Sequence, residues 1–202
     1  NMTANPLYFA HNLYISGSLA TEAVIPDDVT AIGAHAFSVC AGITSVTIPA
    51  SVTSIGNGAF AGGNLQTVYY EGDLAGWCGI QGLQGLMIKG IALYIDGQEV
   101  AGDVVIPTGV TGIAPYAFYD CAGITSVSLP AGVTSIGNGA FYGCNSLQTV
   151  FYEGDIGGWC GIQGLQGLMK RGITLCIDGQ EVAGDVVIPT GVTGIAPYAF
   201  YD

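Results

Sequence analysis

Residues 40–120 return as 121–202 with about 69 of 81 aligned positions identical and one residue inserted near Ser146, so the chain is a tandem copy of itself. A finer period lies inside each copy. Pro26 and Pro49, then Pro107 and Pro130, stand 23 residues apart, as do Phe37 and Phe60, Phe118 and Phe141. A 23-residue unit is too short to enclose a core of its own and must bury its apolar side against further copies. The expected object is therefore a stack of coils.

Within the unit 26–48, Ile43-x-x-Val46-x-Ile48 alternates as a short strand does. Val29, Ile32 and Ala36-Phe37 recur at three and four, the spacing of one or two helical turns. Proline closes each strand, where a missing N–H and a fixed φ suit a chain leaving a sheet. Gly33, Gly56 and Gly137, in the Ile-Gly step, suit a turn that needs a permissive backbone. Strands stacked roughly 4.8 Å apart would form a parallel ladder. Each block also carries a longer interruption, 71–102 and again 153–184, between strand 68–70 and the next rung at 104–106. Inside it, residues 93–100 read as a hairpin closed by Asp96-Gly97. Trp77, Ile80, Leu83 and Leu86 recur every three residues, as in a short helical or 3₁₀ piece within a glycine-rich stretch.

The pattern Ile-Pro-x-x-Val-Thr-x-Ile-Gly-x-x-Ala-Phe-x-x-Cys-x-x-Ile/Leu-x-x-Val occupies 25–46, 106–127 and 129–150, and 48–68 with Gly63 in place of Cys. It resembles the BspA-like, or Treponema-type, leucine-rich repeats. Asn5-Pro6-Leu7 with Leu13-Tyr14-Ile15, and the Tyr-x-Gly stretch ending at Trp77, are similar to connecting segments of such proteins. The resemblance implies one solenoid domain over 1–202: a right-handed leucine-rich-repeat coil with short parallel strands on its concave side, short helical or 3₁₀ turns and inserted β-hairpins. It implies a secreted or cell-surface protein, bacterial or protist, and no enzyme activity. Several members act as adhesins. Gly63 and the shorter 62–65 stretch make one coil imperfect, and the last copy stops at Asp202 before its expected Cys, so a fragment of a longer array is expected.

Composition excludes other classes. Three Lys and Arg against fifteen Asp and Glu give a net charge of −12, which repels phosphate backbones and anionic lipid, so no nucleic-acid partner is expected. No uncharged apolar run approaches the roughly 18 residues of a membrane helix, so no membrane insertion is expected either. No leader or anchor is present within these residues; secretion rests on the resemblance.

The strand register sends one column of side chains to the concave surface: Val24, Thr47, Tyr69, Val105, Ser128, Phe151 and Val187. A neighbouring column holds Glu22, Ser45, Thr67, Asp103, Ser126, Thr149 and Asp185. Aromatics beside hydroxyls and carboxylates suit a protein-recognition face, and cross-strand pairing alone explains them equally. Cys40, Cys121 and Cys144 occupy a repeat position fit for a small buried side chain. Cys121 and Cys144 on adjacent rungs fall within disulfide reach, and a ladder of free thiols satisfies the same positions; both remain open. Six cysteines without a Cys-x-x-Cys, and two histidines, His11 and His35, that do not recur, supply no catalytic constellation, and no metal or cofactor is expected. The repeated acids Glu71, Asp73, Asp96, Glu99 and Asp103, with Glu153, Asp155, Asp178, Glu181 and Asp185, lack a calcium-loop spacing and read as solvated turn acids. Asn1-Met2-Thr3 has only the form of a glycosylation sequon. Two functions compete, a surface module binding a protein partner or a structural spacer whose open ends associate end to end, and carbohydrate binding by the exposed aromatics is a third class with no distinguishing feature.

Overall fold

The computed structural model describes residues 13–15, 17–87, 90–170 and 172–201, which fall into two units, Asn1–Val100 and Ala101–Asp202. The Asn1-Met2-Thr3 sequon, Asn5-Pro6-Leu7 and His11 lie outside the described residues.

Along the first unit run β1 (Tyr14–Ile15), β2 (Ser18–Leu19), β3 (Glu22–Val24), β4 (Ala31–Ile32), β5 (Ser45–Ile48), β6 (Ser54–Ile55), β7 (Thr67–Tyr70), helix α1 (Leu74–Gly79), a 3₁₀ turn Leu83–Gly85, β8 (Ala92–Ile95) and β9 (Gln98–Glu99). The second unit repeats most of this with β10 (Gly102–Val105), β11 (Gly112–Ile113), β12 (Ile124–Leu129), β13 (Ser135–Ile136), β14 (Thr149–Tyr152), helix α2 (Ile156–Gly161), a 3₁₀ turn Leu165–Gly167, β15 (Thr174–Ile177) and β16 (Gln180–Glu181). Each unit is built on a five-stranded sheet, ordered β3-β5-β7-β8-β9 in the first and β10-β12-β14-β15-β16 in the second. The first four strands of each run parallel, and the last is antiparallel. The two-residue pairs β4-β6 and β11-β13 add a second, narrower ladder per unit. This is the coil stacking of a repeat solenoid.

Alternation decides which side is buried. Val46, Ile48, Val68, Tyr70 and Leu93 point inward in the first unit, and Val127, Leu129, Val150, Tyr152 and Leu175 in the second. Each fully buried aliphatic side chain contributes about 1.5–3 kcal/mol. Phe37 stacks on Phe60, and Phe118 on Phe141, with ring centroids 5.0 Å apart in both pairs. Phe60, Phe118 and Phe141 are buried and Phe37 is half-buried.

The expected helical turns at 29–37 are absent; β4 and a run of hydrogen-bonded turns take their place. The N–H groups of Ala36, Ser38 and Cys40 donate three residues back, while those of His35, Phe37 and Val39 donate to Asn57, Ala59 and Ala61 of the next coil. Every second donor is thus spent between coils, and a helix would need all of them within one. Residues 116–121 repeat the pattern against Asn138, Ala140 and Tyr142.

The glycines of the Ile-Gly step also have a different reason than expected. A Cβ on Gly56 would stand 2.2 Å from the Ala34 nitrogen, and one on Gly137 2.2 Å from the Pro115 nitrogen. Neither residue has positive φ, so close approach of the neighbouring coil selects glycine there; around Gly33 the space is open.

The hairpins form as read. Asp96 and Gly97 have φ of 47° and 72°, as do Asp178 and Gly179, the left-handed pair of a two-residue turn. The structure adds that β8 and β15 are themselves rungs of the parallel ladders. In the glycine-rich stretch the expected helical piece divides into a short α-helix and a 3₁₀ turn. Asp73 and Asp155 cap the helices, each accepting the N–H three residues on at 2.7 Å.

Candidate functional site

In the first unit the pairing registers align Val24, Thr47, Tyr69 and Tyr94 across the exposed sheet face, and Glu99 follows opposite Tyr94. In the second unit they align Val105, Ser128, Phe151 and Cys176, with Glu181 opposite Cys176. The flanking columns are Glu22, Ser45, Thr67, Ala92 and Asp103, Ser126, Thr149, Thr174. Tyr69 and Phe151 are each 39% exposed at equivalent positions. Tyr94 lies beside Tyr69 with ring centroids 5.1 Å apart. Thr47 Oγ1 donates to Glu22 Oε1 at 3.2 Å, and Ser126 and Thr125 both donate to Asp103 Oδ1, at 2.6 and 3.3 Å. Each face is a strip of aliphatic, aromatic and hydroxyl side chains with a carboxylate at either end.

Two residues of the expected column are placed elsewhere. Asp185 and Val187 are exposed but belong to no strand: the edge of β15 is taken by β16, and among the described residues no coil pairs with 184–188. Conversely, Tyr94, Glu99, Cys176 and Glu181 join the faces although 93–100 reads as an insertion. The signal was present: Ala92-Leu93-Tyr94-Ile95 alternates as Thr67-Val68-Tyr69-Tyr70 does.

Beside β16 lies an open cleft of about 430 Å³ whose lining includes the carboxylates Asp155, Asp178, Glu181 and Asp185 and the aliphatic Ile177 and Val186. Among the described residues no group of His, Cys, Asp and Glu is arranged to hold a metal ion.

All six cysteines are free thiols, and all but Cys176 are buried. Burial pushes Cys144 up to about 12 against the opposing pull of Lys170, and burial with Asp73 nearby pushes Cys78 up to about 12. Burial first, then Cys144 and Asp120, raises Cys121 well above the ordinary thiol value. Cys144 Sγ donates to the Phe118 carbonyl at 3.1 Å, and Lys170 Nζ donates to the Cys144 carbonyl. Protonated, buried thiols are poor nucleophiles, so these residues fill the core.

Stacked coils joined by a parallel ladder, with variable side chains on the open sheet face, define a leucine-rich-repeat protein. The chain belongs to the family of the BspA type leucine rich repeat region, whose pattern matches six times, over residues 11–75 and 100–157. No curated protein matches the sequence significantly. Among solved structures, a leucine rich cell surface protein from Faecalibacterium prausnitzii A2-165 is 30% identical over 71% of this chain and 35% of its own, with a TM-score of 0.37. The T. pallidum leucine rich repeat protein is 21% identical over 78% of this chain and 69% of its own, with a TM-score of 0.40. A leucine-rich repeat protein from Bacteroides ovatus is 18% identical over 76% and 53%, with a TM-score of 0.34. This chain covers about a third of the Faecalibacterium protein and about two thirds of the T. pallidum one. No helix among the described residues is long and apolar enough to cross a membrane.

Proposed function

We propose that the protein is a non-enzymatic recognition module of the bacterial cell surface that binds protein partners through the exposed faces of its sheets. The observation that carries this reading is the pairing of Tyr69 and Phe151, large aromatics held at equivalent positions on two rigid ladders and left over a third open to solvent. Nothing in the core requires an aromatic there, since the buried residues point to the other side. Rigid rings bring large contact area at little entropic cost, and they recur among residues whose loss costs about 2 kcal/mol or more of binding. Family membership supports the surface location. The test is a screen against host extracellular-matrix proteins and polysaccharides, repeated with Tyr69→Ser plus Phe151→Ser. Affinity for a partner so identified should fall roughly thirtyfold or more at unchanged far-ultraviolet circular dichroism. Unchanged affinity removes the sheet-face reading.

A second reading, a spacer or self-assembling surface repeat, is favoured by a different observation. Residues 101–119 and 183–201 are identical in sequence. In the first copy Ile106, Tyr116 and Phe118 donate to Ser128, Asn138 and Ala140 of the adjoining coil, and Ile113, paired with Ile136, is buried. In the second copy the N–H groups of Ile188, Tyr198 and Phe200 find no backbone partner among the described residues, and Ile195 is 52% exposed. That face accepts a coil of the same kind, from further chain or from a second molecule. Sedimentation of the 202-residue chain over a concentration range should show association that Ile195→Asp abolishes; a strictly monomeric chain removes this reading.

A further inference from the structure

Resting on the recognition reading above, we infer that the partner presented to these strips is a basic extended segment, whose Lys or Arg side chains lie along the aromatic strip and place their cations at Glu99 in the first unit and Glu181 in the second. The argument starts from what the strips lack. Of the three Lys and Arg in the chain, Lys170 is engaged at the Cys144 carbonyl, and among the described residues no cation stands in either register of the exposed faces. The carboxylates are not equivalent. Glu22 and Asp103 already accept hydrogen bonds from Thr47 and from Ser126 and Thr125. Glu99 and Glu181 are exposed, lie at the far end of the strip, and stand opposite Tyr94 and Cys176.

The strip from Tyr69 through Tyr94 to Glu99 therefore offers an aromatic surface ending in an unengaged carboxylate. An apolar stem ending in a cation matches both parts, since long basic side chains lay their methylenes on apolar surface and keep the charge at its edge. A cation over an exposed aromatic ring gains a modest further attraction. In the second unit Glu181 also lines the cleft shared with Asp155, Asp178 and Asp185. Its lining also includes Ile156, Ile177 and Val186, and no Lys, Arg or His lines it. An acidic or neutral partner would leave these carboxylates facing like charge or nothing.

The experiment titrates the 202-residue chain with three extended dodecapeptides that alternate Thr with Lys, Gln or Glu, at low and high salt. The Lys peptide should bind at least tenfold more tightly than the Gln peptide at low salt and weaken as salt rises. Glu99→Gln plus Glu181→Gln should weaken binding at each strip about two- to fivefold, the worth of the one exposed ion pair that each strip loses. Asp27→Asn plus Asp28→Asn removes the same charge from an exposed turn outside the strand registers and should change binding less than about twofold. Equal losses in the two double variants would show attraction to net charge alone and overturn the inference. Equal binding of the Lys and Gln peptides overturns it too. If the basic peptide fails while a neutral partner still depends on Tyr69 and Phe151, the charge class falls and the recognition face stands.

Discussion

Glycine is asked to do two separable things in these coils, and substitution by alanine distinguishes them. Gly137 has no positive φ, but a Cβ there would stand 2.2 Å from the Pro115 nitrogen and 2.6 Å from its Cα, both backbone atoms of the adjoining coil. Gly179 has φ of +72° with nothing within 4 Å of its would-be Cβ. Gly164 combines both, with φ of +82° and the Ile136 carbonyl oxygen 1.9 Å away. Gly33 has neither constraint. A left-handed backbone costs an L-residue roughly 1–2 kcal/mol. Forcing extra volume between packed backbones costs about 1–3 kcal/mol. Restricting the unfolded chain returns about 0.4–1 kcal/mol. Alanine at Gly33 should therefore be neutral or stabilising, at Gly179 cost up to about 1.5 kcal/mol, at Gly137 up to about 2.5, and at Gly164 about 1–4.5, the most of the four. Urea unfolding followed by circular dichroism reads these as shifts in midpoint at unchanged slope. If alanine at Gly137 is no worse than at Gly33, close coil approach does not select glycine in the Ile-Gly step, and the packing argument fails.

Trp159 Nε1 donates to the Ala199 carbonyl at 2.7 Å in a buried setting, so Trp159→Phe should cost about 1–3 kcal/mol and speed hydrogen exchange in residues 190–201 before elsewhere. Because burial raises Cys144 to about 12 from an ordinary 9.0, the unfolded chain releases its thiol proton first. Stability from this group is complete below pH 9 and declines from about 9 to 12; midpoints measured across that range should fall in the wild type and fall less in Cys144→Ala, and equal declines would contradict the assigned cause. Val39 holds φ of 54°, and its Cγ1 lies 2.9 Å from where a Cβ on Gly62 would stand. Gly62→Ala should accordingly be more costly alone than in a Val39→Gly background by about 1–3 kcal/mol in a double-mutant cycle, and additivity would deny the clash.

Much of the fold was legible because the repeat does the reading: a period of 23 places Phe37 under Phe60 and Val127 beside Val150 once coils are known to stack. The face columns followed from the same register as far as β14: Phe151 stands 23 residues after Ser128, and Tyr69 only 22 after Thr47 because the 62–65 stretch is one residue short. What escaped were features set by the neighbour. The turns at 35–40 have helical spacing in the sequence, yet half their donors cross to the next coil. Tyr94 and Glu99 reached the face because β8 found the open edge of β7; the alternation of 92–95 marks a strand, but not the edge that it joins. The sharpest case is internal. Residues 102–105 form β10 against β12, whereas the identical residues 184–187 form no strand. Side chains, propensities and turn residues are the same in both, so strand formation at this sequence is conferred by the coil alongside. A reading from one coil alone must therefore miss it, and Asp185 and Val187 acquire the expected column position only when another coil pairs with them.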